Sequence, residues 1–270
     1  MKALVYTGPK QLDYRDVADP VAQGTDVLID LDCSGICGSD MHAFLGHDPR
    51  RPAPLILGHE AAGVIASGPE AGRRVTINPL VACGWHAVRL ALGHAPEPAE
   101  RVEAVVLGGG AIGLSAALSL SIQGVSRITV LETNAARRSR MRQALPQFEF
   151  QASFEDTSGS LPHLVVDAVG IAPTRKIASA IVRPGGVIAH IGLGDNEGEL
   201  DVRRMTLQEI GFIGTYTYSA QDFRDTAQAI FEGKFGSFDW VDQRPLSEGA
   251  GAFDDLLAGR VDAGKILLMT

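Results

Sequence analysis

The sequence lacks the features that mark secreted and membrane proteins. Its three cysteines, an odd and low number, give no disulfide framework and are typical of a reducing compartment. No apolar run approaches the length of about 18 residues that crosses a membrane, and the N-terminal MKALVYTGPK lacks the long apolar core of a signal peptide. We therefore expect a cytoplasmic protein.

The chain also lacks a basic block. Its 24 lysines and arginines stand against 32 aspartates and glutamates, which gives a net charge of -8. This balance disfavours nucleic acid and anionic membranes as partners. The 270 residues are 45% hydrophobic, enough to bury a sizeable core in one large domain or two smaller ones. A small molecule is the expected partner.

Two patterns of apolar residues divide the chain. The first part has strand-like runs, ALVYT, DVLIDLDCSGI, GHEAAGVIASG and RRVTI, which Gly, Pro and Asp clusters separate. From Glu100 onwards, apolar strands alternate with helices, and six strands are expected from Val102 to Tyr218; this is the pattern of a parallel sheet covered on both faces. The tail from Ala220 predicts a helix, a Gly-rich loop, a short helix AFDDLLAG and a closing strand KILLM.

The strongest motif is VEAVVLGGGAIGLSAALSL, in which an apolar strand leads through glycines into a helix. Gly108, Gly110 and Gly113 form the pattern G-x-G-x-x-G, with Ala111 and Ile112 between the last two glycines. Glycine lets the backbone turn tightly and approach a pyrophosphate that lies at the helix N-terminus. The strand and helix on either side favour a dinucleotide site over a glycine turn that binds nothing.

Glu132 ends the second strand of this part of the chain. An acid at this position accepts hydrogen bonds from the ribose hydroxyls and repels a 2′-phosphate. Arg137 and Arg138 follow on a basic helix; we interpret them as a solvated helix face rather than a 2′-phosphate clamp, and keep Arg137 as a candidate cofactor contact. NAD is therefore expected rather than NADP.

A second set of residues has the chemistry of zinc ligands. Cys37 supplies a thiolate and His59 an imidazole, and Glu60 is either a ligand or a neighbouring carboxylate. A catalytic zinc usually has three protein ligands, and Cys83 in INPLVACGWHAVRL would complete the set. The alternative for Cys83 is a packed thiol, because free cysteines are often buried and Cys83 begins an apolar helix. Cys33 is interpreted as a packed strand residue.

Several motifs together resemble a known family. In order, they are GICGSDMH, GHEAAG, RVTINP, the glycine turn, VVDAVG and GGVIAHIG, and they resemble the zinc-dependent medium-chain dehydrogenases, especially the polyol and threonine dehydrogenase branch. The resemblance covers nearly the whole chain. It implies an α/β fold, with a doubly wound Rossmann sheet and a GroES-like β domain. It further implies NAD and zinc as cofactors, a small alcohol or polyol as substrate, and a homodimer or homotetramer.

The resemblance also implies a domain order and roles for individual residues. Residues 1–85 would form the GroES-like catalytic domain, 86–219 the Rossmann NAD-binding domain, and 220–270 a return to the catalytic domain. Cys37 and His59 would be zinc ligands, with Glu60 as the adjacent acid.

Three neighbouring residues would assist these ligands. Asp40 would hydrogen-bond a ligand histidine. Ser39 and His42 would relay the alcohol proton to solvent. Without the resemblance, His42 would be interpreted as a surface histidine on a loop.

The chain departs from the family between RVTINP and CGWHAVRLALG. Full-length relatives have a long segment there, which includes a four-cysteine lobe for a structural zinc, whereas here the two motifs adjoin and no C-x2-C-x2-C pattern exists. In the polyol branch a glutamate ahead of the helix assists the metal, and this chain has Asn78. We therefore expect a truncated GroES-like domain with an open sheet edge or an uncovered core. Cys83 lies at this junction, where the alcohol dehydrogenase branch has its third zinc ligand.

The resemblance implies a zinc- and NAD-dependent oxidation of a secondary alcohol or polyol. The alternative is an impaired or minimal scaffold that binds NAD without a competent zinc site. A third hypothesis, the zinc-free quinone reductase branch, is disfavoured by GICGSD and GHE.

Overall fold

The computed structural model of the chain describes residues 1–78, 80–155 and 160–270. The strands are β1 (Lys2–Gly8), β2 (Gln11–Asp16), β3 (Ile29–Gly35), β4 (Leu55–Ile56), β5 (Glu60–Ile65), β6 (Arg74–Ile77), β7 (Glu103–Leu107), β8 (Arg127–Leu131), β9 (Glu149–Gln151), β10 (Leu164–Asp167), β11 (Val187–His190), β12 (Gly211–Gly214), β13 (Val241–Pro245) and β14 (Lys265–Met269). The helices are α1 (Gly38–Phe44), α2 (Val81–Leu92), α3 (Ala111–Ile122), α4 (Ala135–Ala144), α5 (Ala172–Ile181), α6 (Val202–Leu207), α7 (Ala220–Phe231) and α8 (Gly249–Leu257).

The chain divides into two compact units. The first unit comprises Met1–Pro79, Val241–Val261 and Lys265–Thr270, and the second comprises Leu80–Trp240 and Asp262–Gly264. We expected the chain to change domain after residues 85 and 219. The first boundary between the compact units comes earlier than expected, before Leu80, and the second comes later, after Trp240. The reason is that α2 packs on α3 and α7 packs on α2, so both helices belong to the second unit.

The second unit is built on a six-stranded parallel sheet in the order β12-β11-β10-β7-β8-β9. Counted from β7, this is the strand order 3-2-1-4-5-6 of the doubly wound dinucleotide-binding fold, with the switch point between β7 and β10. The predicted fold class and the six strands are confirmed. The sequence pattern extended the last strand to Tyr218, but β12 ends at Gly214.

Helices cover both faces of this sheet. Val106 and Val166 on one face, and Val165 and Ile188 on the other, are 0% exposed. Their strands read as continuous apolar runs because a parallel sheet is buried on both faces. The most apolar helix is α3, which is buried from Gly113 to Leu120. Even so, no helix in the described part of the chain is long and apolar enough to cross a membrane.

The first unit contains two smaller sheets. The five-stranded sheet has the order β13-β14-β3-β5-β6, in which only β13 and β14 pair in parallel, and the three-stranded sheet has the order β2-β1-β4. β6 is an edge strand, and Leu31 and Ile77 are each 41% exposed. The sequence pattern missed β2, because QLDYRD is too polar to show the alternation of a half-buried strand.

Candidate active site

The glycine turn lies at the carboxyl end of β7, where the fold binds dinucleotides. Gly108 has φ 98°, in the left-handed region that favours glycine. A Cβ at Gly113 would lie 1.8 Å from the Gly108 carbonyl oxygen, so only glycine lets α3 pack on the turn. A Cβ at Gly110, the N-cap of α3, would meet no atom within 4 Å. Open space therefore lies beside Ala111 and Ile112, whose first-turn N–H groups suit a phosphate.

Glu132 follows β8 beside this turn. Its Oε2 accepts the Gly109 N–H at 3.0 Å and lies 3.1 Å from Arg137 Nη1, and its Oε1 accepts the Asn134 N–H at 2.7 Å. Arg137 also donates to the Ala263 carbonyl oxygen at 3.2 Å and is only 20% exposed, so the interpretation of Arg137 as a solvated helix face is wrong. The acid is fixed beside the turn, as recognition of a ribose requires.

The predicted metal ligands of the first unit lie together. Cys37, His59 and Glu60 each present a ligand atom, and these atoms all lie within 4.8 Å of one another. Across the described residues, this is the one group of three or more side chains that could hold a metal ion. The pairing of β3 with β5, in which Gly35 opposes Glu60, brings the group together. We call these three residues the ligand group.

His59 is oriented by Asp40. His59 Nδ1 lies 3.2 Å from Asp40 Oδ1, and Asp40 is 1% exposed and accepts the Cys37 N–H at 3.0 Å. Hydrogen bonds that His59 donates, first to Asp40 and then to Cys37, raise the pKa of His59 to about 10. A metal would compete with that proton for Nε2, which lies 3.4 Å from Ser39 Oγ. A carboxylate on the second nitrogen of a histidine is the usual support of a metal ligand.

Glu60 has a partner that the sequence analysis missed. It forms an ion pair with Lys265, and the two side chains are 9% and 6% exposed. A Cβ at Gly35 would lie 2.8 Å from Lys265 Cε and 2.9 Å from Glu60 Oε2, so glycine makes room for the pair. The signal in the sequence was the one charged residue that opens the apolar strand KILLM. A metal in the ligand group competes with Lys265 for the Glu60 carboxylate.

The two predicted relay residues lie on a helix. Placing His42 on a loop is wrong, because Ser39 and His42 both belong to α1, whose N-cap is Cys37. Residues three apart on a helix are neighbours on one face. His42 is exposed, and its ring centroid lies 6.3 Å from that of His47. The imidazole that would pass a proton outward therefore contacts solvent.

The remaining cysteines differ in position. Cys83 is half-buried on α2 of the second unit and is not part of the ligand group, so its assignment as a third ligand stays a prediction. Asn78 follows β6 with φ 49°, a conformation that asparagine tolerates. Cys33 is a half-buried residue of β3, as expected, and burial raises the pKa of its thiol.

The donors of the ligand group fit zinc. Thiolate, imidazole and carboxylate are the protein ligands of that metal. The Asp40 hydrogen bond leaves His59 Nε2 directed at Cys37 and Ser39, so the histidine is oriented before any ion binds. The glycine turn and Glu132 fit a dinucleotide in the same way, through open space at Gly110 and an acid fixed beside it.

Two family models match the chain. The model described as the alcohol dehydrogenase GroES-like domain matches residues 23–117, and the model described as zinc-binding dehydrogenase matches residues 111–232. The two models together span most of the chain, and they meet at the start of α3.

Several relatives of known name are similar along most of their length. L-Galactonate-5-dehydrogenase of Escherichia coli K12 is 26% identical, over 87% of this chain and 88% of that protein. Sorbitol dehydrogenase of Bombyx mori is 23% identical, over 98% of this chain and 97% of that protein. The second alignment runs over 343 positions, more than the 270 residues present here, so the relative contains residues without a counterpart in this shorter chain.

Solved structures share the fold. An alcohol dehydrogenase from E. coli CFT073, complexed with the cofactor NADH, is 18% identical with a TM-score of 0.84, over 100% of this chain and 99% of that one. The 2R,3R-butanediol dehydrogenase of Bacillus subtilis has the same identity, the same coverage of both chains and a TM-score of 0.81. The chain belongs to the zinc-binding medium-chain dehydrogenases, an enzyme family whose cofactors are a nicotinamide dinucleotide and zinc, and it is a truncated form of them.

Proposed function

We propose that this protein is a dehydrogenase that oxidises a secondary alcohol or polyol reversibly, with NAD and zinc. The observation that carries the proposal is the ligand group, Cys37, His59 and Glu60, with His59 oriented by Asp40. The names of the relatives, L-galactonate-5-dehydrogenase and sorbitol dehydrogenase, support a hydroxylated small molecule as the substrate.

The cofactor would lie on the second unit. The glycine turn from Gly108 to Gly113 receives the pyrophosphate, and the Glu132 carboxylate receives the ribose hydroxyls. Arg137 touches Glu132 and so lies at the same end of the cofactor. Because Glu132 would repel a 2′-phosphate, NAD is the proposed dinucleotide.

The ligand group would hold zinc, and residues of α1 would handle the proton. Zinc would supply a Lewis acid that favours loss of the alcohol proton, while NAD accepts the hydride. Ser39 Oγ, 3.4 Å from His59 Nε2, would accept the proton of the substrate hydroxyl while it gives up its own hydroxyl proton toward His42. His42, three residues further along α1 and exposed, passes it to solvent.

One observation favours the alternative function, a scaffold that binds NAD without a competent zinc site. Lys265 already neutralises Glu60, so the group has only two ligands without a competing cation, Cys37 and His59. Cys83 would restore a third protein ligand, and its contribution decides between the two functions.

The experiment is elemental analysis of Cys37→Ser and Cys83→Ser beside the unaltered protein. If Cys37, His59 and Cys83 hold zinc, each variant loses most of its metal. If Cys83 is a packed thiol, its variant keeps zinc and loses about 1–3 kcal/mol of unfolding free energy, read from a thermal melt. Cys33→Ser, a change at another half-buried cysteine, is the matched control. Full zinc in Cys37→Ser would refute both versions of the site and leave the NAD-binding scaffold.

The assembly and compartment are also part of the proposal. Within the described part of the chain, no strand pairs with the outer side of β12, the last strand of the parallel sheet, which supports a homodimer or homotetramer. The net charge of -8 and the three cysteines support a small-molecule substrate and action in the cytoplasm. The catalytic domain would comprise the first unit, and the NAD-binding domain the second.

A further inference from the structure

A short segment near the C-terminus belongs to the second unit although the chain on both sides of it belongs to the first. Asp262–Gly264 is this segment, preceded by Val261 and followed by Lys265. Ala263 is 2% exposed and Lys265 6%, whereas Gly264 is half-buried and the Asp262 side chain is exposed. We call residues 262–265 the strap.

Helix α4 holds the first half of the strap, directly after the cofactor acid. Arg137 Nε donates to the Ala263 carbonyl oxygen at 3.2 Å, while Nη1 of the same guanidinium lies 3.1 Å from Glu132 Oε2. One turn further, Arg140 Nη1 lies 2.8 Å from Asp262 Oδ1. Arg137 therefore contacts both the strap and Glu132, the residue that would bind the ribose.

The middle of the strap is confined. The Gly264 N–H donates to the Trp240 carbonyl oxygen at 2.9 Å. A Cβ at Gly264 would lie 2.4 Å from Leu114 Cδ1 and 3.0 Å from Trp240 Cε3, and Trp240 is itself 2% exposed. Because close-packed interiors leave no room for small displacements, a shift of Ala263 cannot be absorbed at Gly264.

The last residue of the strap reaches the ligand group. Lys265 forms the ion pair with Glu60, and both side chains are more than nine-tenths buried. The Ala263 carbonyl oxygen, which accepts from Arg137, and the Lys265 ammonium, which pairs with Glu60, thus lie two residues apart in the chain. Neither the proposed chemistry nor the glycine turn requires this connection.

We propose that the strap couples the two sites, so that binding of the dinucleotide at Glu132 and of zinc at the ligand group strengthen each other. This inference rests on the proposed function. Zinc would compete with Lys265 for Glu60, and the ribose hydroxyls would compete with Arg137 for Glu132. The ligand that binds first therefore loosens one end of the strap, and the second ligand then displaces the other end at a lower cost, which makes the coupling positive. By thermodynamic linkage, the two affinities change by the same factor.

The test measures each affinity with and without the other ligand. The Kd of zinc is obtained by competition with a chromophoric chelator, in the absence and presence of saturating NADH. The Kd of NADH is obtained by fluorescence titration of the zinc-free and zinc-loaded protein. We expect both dissociation constants to fall by the same factor, about five-fold or more. We call this ratio of the two dissociation constants, without and with the other ligand, the coupling factor.

Two arginines of α4 provide a matched pair of variants. Arg140→Gln removes the contact with Asp262, whereas Arg142→Gln removes the same charge from a side chain that donates to the Phe150 carbonyl oxygen, away from the strap. Arg140→Gln should bring the coupling factor close to one and leave NADH binding by the zinc-free protein unchanged, and Arg142→Gln should keep the full factor. A purely structural role of Arg140 would lower the melting temperature without changing the factor.

The outcomes separate the strap from the proposed function. If the unaltered protein binds both ligands with a coupling factor of one, the strap is overturned and the proposed function stands. Equal loss of coupling in the two variants also overturns it. If the unaltered protein binds no NADH or no zinc, the proposed function fails and the strap fails with it.

Discussion

The two units differ in how completely their apolar side chains are covered. In the second unit, the central strands of the sheet are buried on both faces, Val106 and Val165 are 0% exposed, and the strongly exposed large apolar residue on a described strand is Phe212 of the edge strand β12. In the first unit, Leu31 and Ile77 are 41% exposed and Ile56 is 47% exposed, all on strands. The part of the sequence with the complete strand-and-helix pattern therefore covers the apolar side chains of its strands better than the part that adjoins the missing family segment.

This difference extends to the two sites. The glycine turn depends on backbone geometry in a closed core, since Gly108 and Gly113 pack directly on each other. The ligand group depends on side chains from separate strands, and Lys265 holds one of its three members. We therefore expect the dinucleotide site to tolerate changes in the first unit better than the ligand group does.

The largest expected effect contrasts one apolar side chain from each unit. Leu164 is 0% exposed in the second unit, so Leu164→Ala should lower the free energy of unfolding by about 2–5 kcal/mol. Ile77 is 41% exposed, so Ile77→Ala should change it by about 0.5 kcal/mol or less. Urea unfolding followed by circular dichroism measures both. Equal costs for the two variants would show that the first unit is covered in solution.

The next effect contrasts two aspartates. Burial would raise the pKa of Asp222, but hydrogen bonds from Arg89, Ser219 and His86 outweigh it and hold the pKa well below its usual range. Asp16 of the first unit has a lowered pKa from its hydrogen bond with Lys2, but its side chain is 79% exposed. Asp222→Asn should lower the free energy of unfolding at pH 7 by about 1–3 kcal/mol. Asp16→Asn should cost nothing measurable, because exposed ion pairs contribute little.

The pH dependence of the Asp222 effect has a definite sign. A carboxyl whose pKa is lower in the folded than in the unfolded chain stabilises the fold above the ordinary value of 3.8, and this contribution disappears as the pH falls through the folded pKa. The difference between the unaltered protein and Asp222→Asn should therefore be full at pH 7 and shrink below pH 3.8. Urea unfolding at several pH values checks this, and a difference that stays constant with pH would contradict the assignment.

A smaller effect concerns the cofactor acid of the second unit. Because the Glu132 carboxylate repels a 2′-phosphate, the unaltered protein should bind NADH more tightly than NADPH, by about ten-fold for an interaction of 1.4 kcal/mol. Glu132→Gln keeps an acceptor for the Gly109 N–H and removes the charge, so it should narrow that gap. Fluorescence titration with both dinucleotides measures it, and equal affinities in the unaltered protein would defeat the assignment of Glu132.

The sequence predicted the second unit better than the first, for a physical reason. A parallel sheet and a glycine turn use local patterns, an apolar run and fixed glycine spacing, so β7, α3 and the position of Glu132 after β8 could be predicted from the sequence. Contacts between distant segments leave no such pattern. The pair of Glu60 with Lys265 and the contact of Arg137 with Ala263 depend on how the C-terminal strand returns, and the polar strand β2 has no alternation to recognise.

The open edges of the two units provide the last contrast. The edge strand β6 begins with a charged residue, Arg74, which discourages pairing with another chain, whereas β12 (GFIG) carries neither charge nor proline. Phe212 of β12 is 38% exposed, and Tyr216, two residues beyond the end of the strand, is 75% exposed. We therefore expect two copies to pair through β12, giving a dimer at micromolar concentration.

Substitutions at one position of β12 test this pairing. The N–H groups of Gly211 and Thr215 donate inward, to Gly186 and His190, so the alternating pattern of a strand turns the Gly214 N–H toward the open edge. Gly214→Pro removes that outward donor and should give a monomer by light scattering. Gly214→Ala keeps the donor and adds a Cβ in open space, so it should remain a dimer. A monomeric unaltered protein would refute the pairing, and a dimeric Gly214→Pro would assign the interface to another surface.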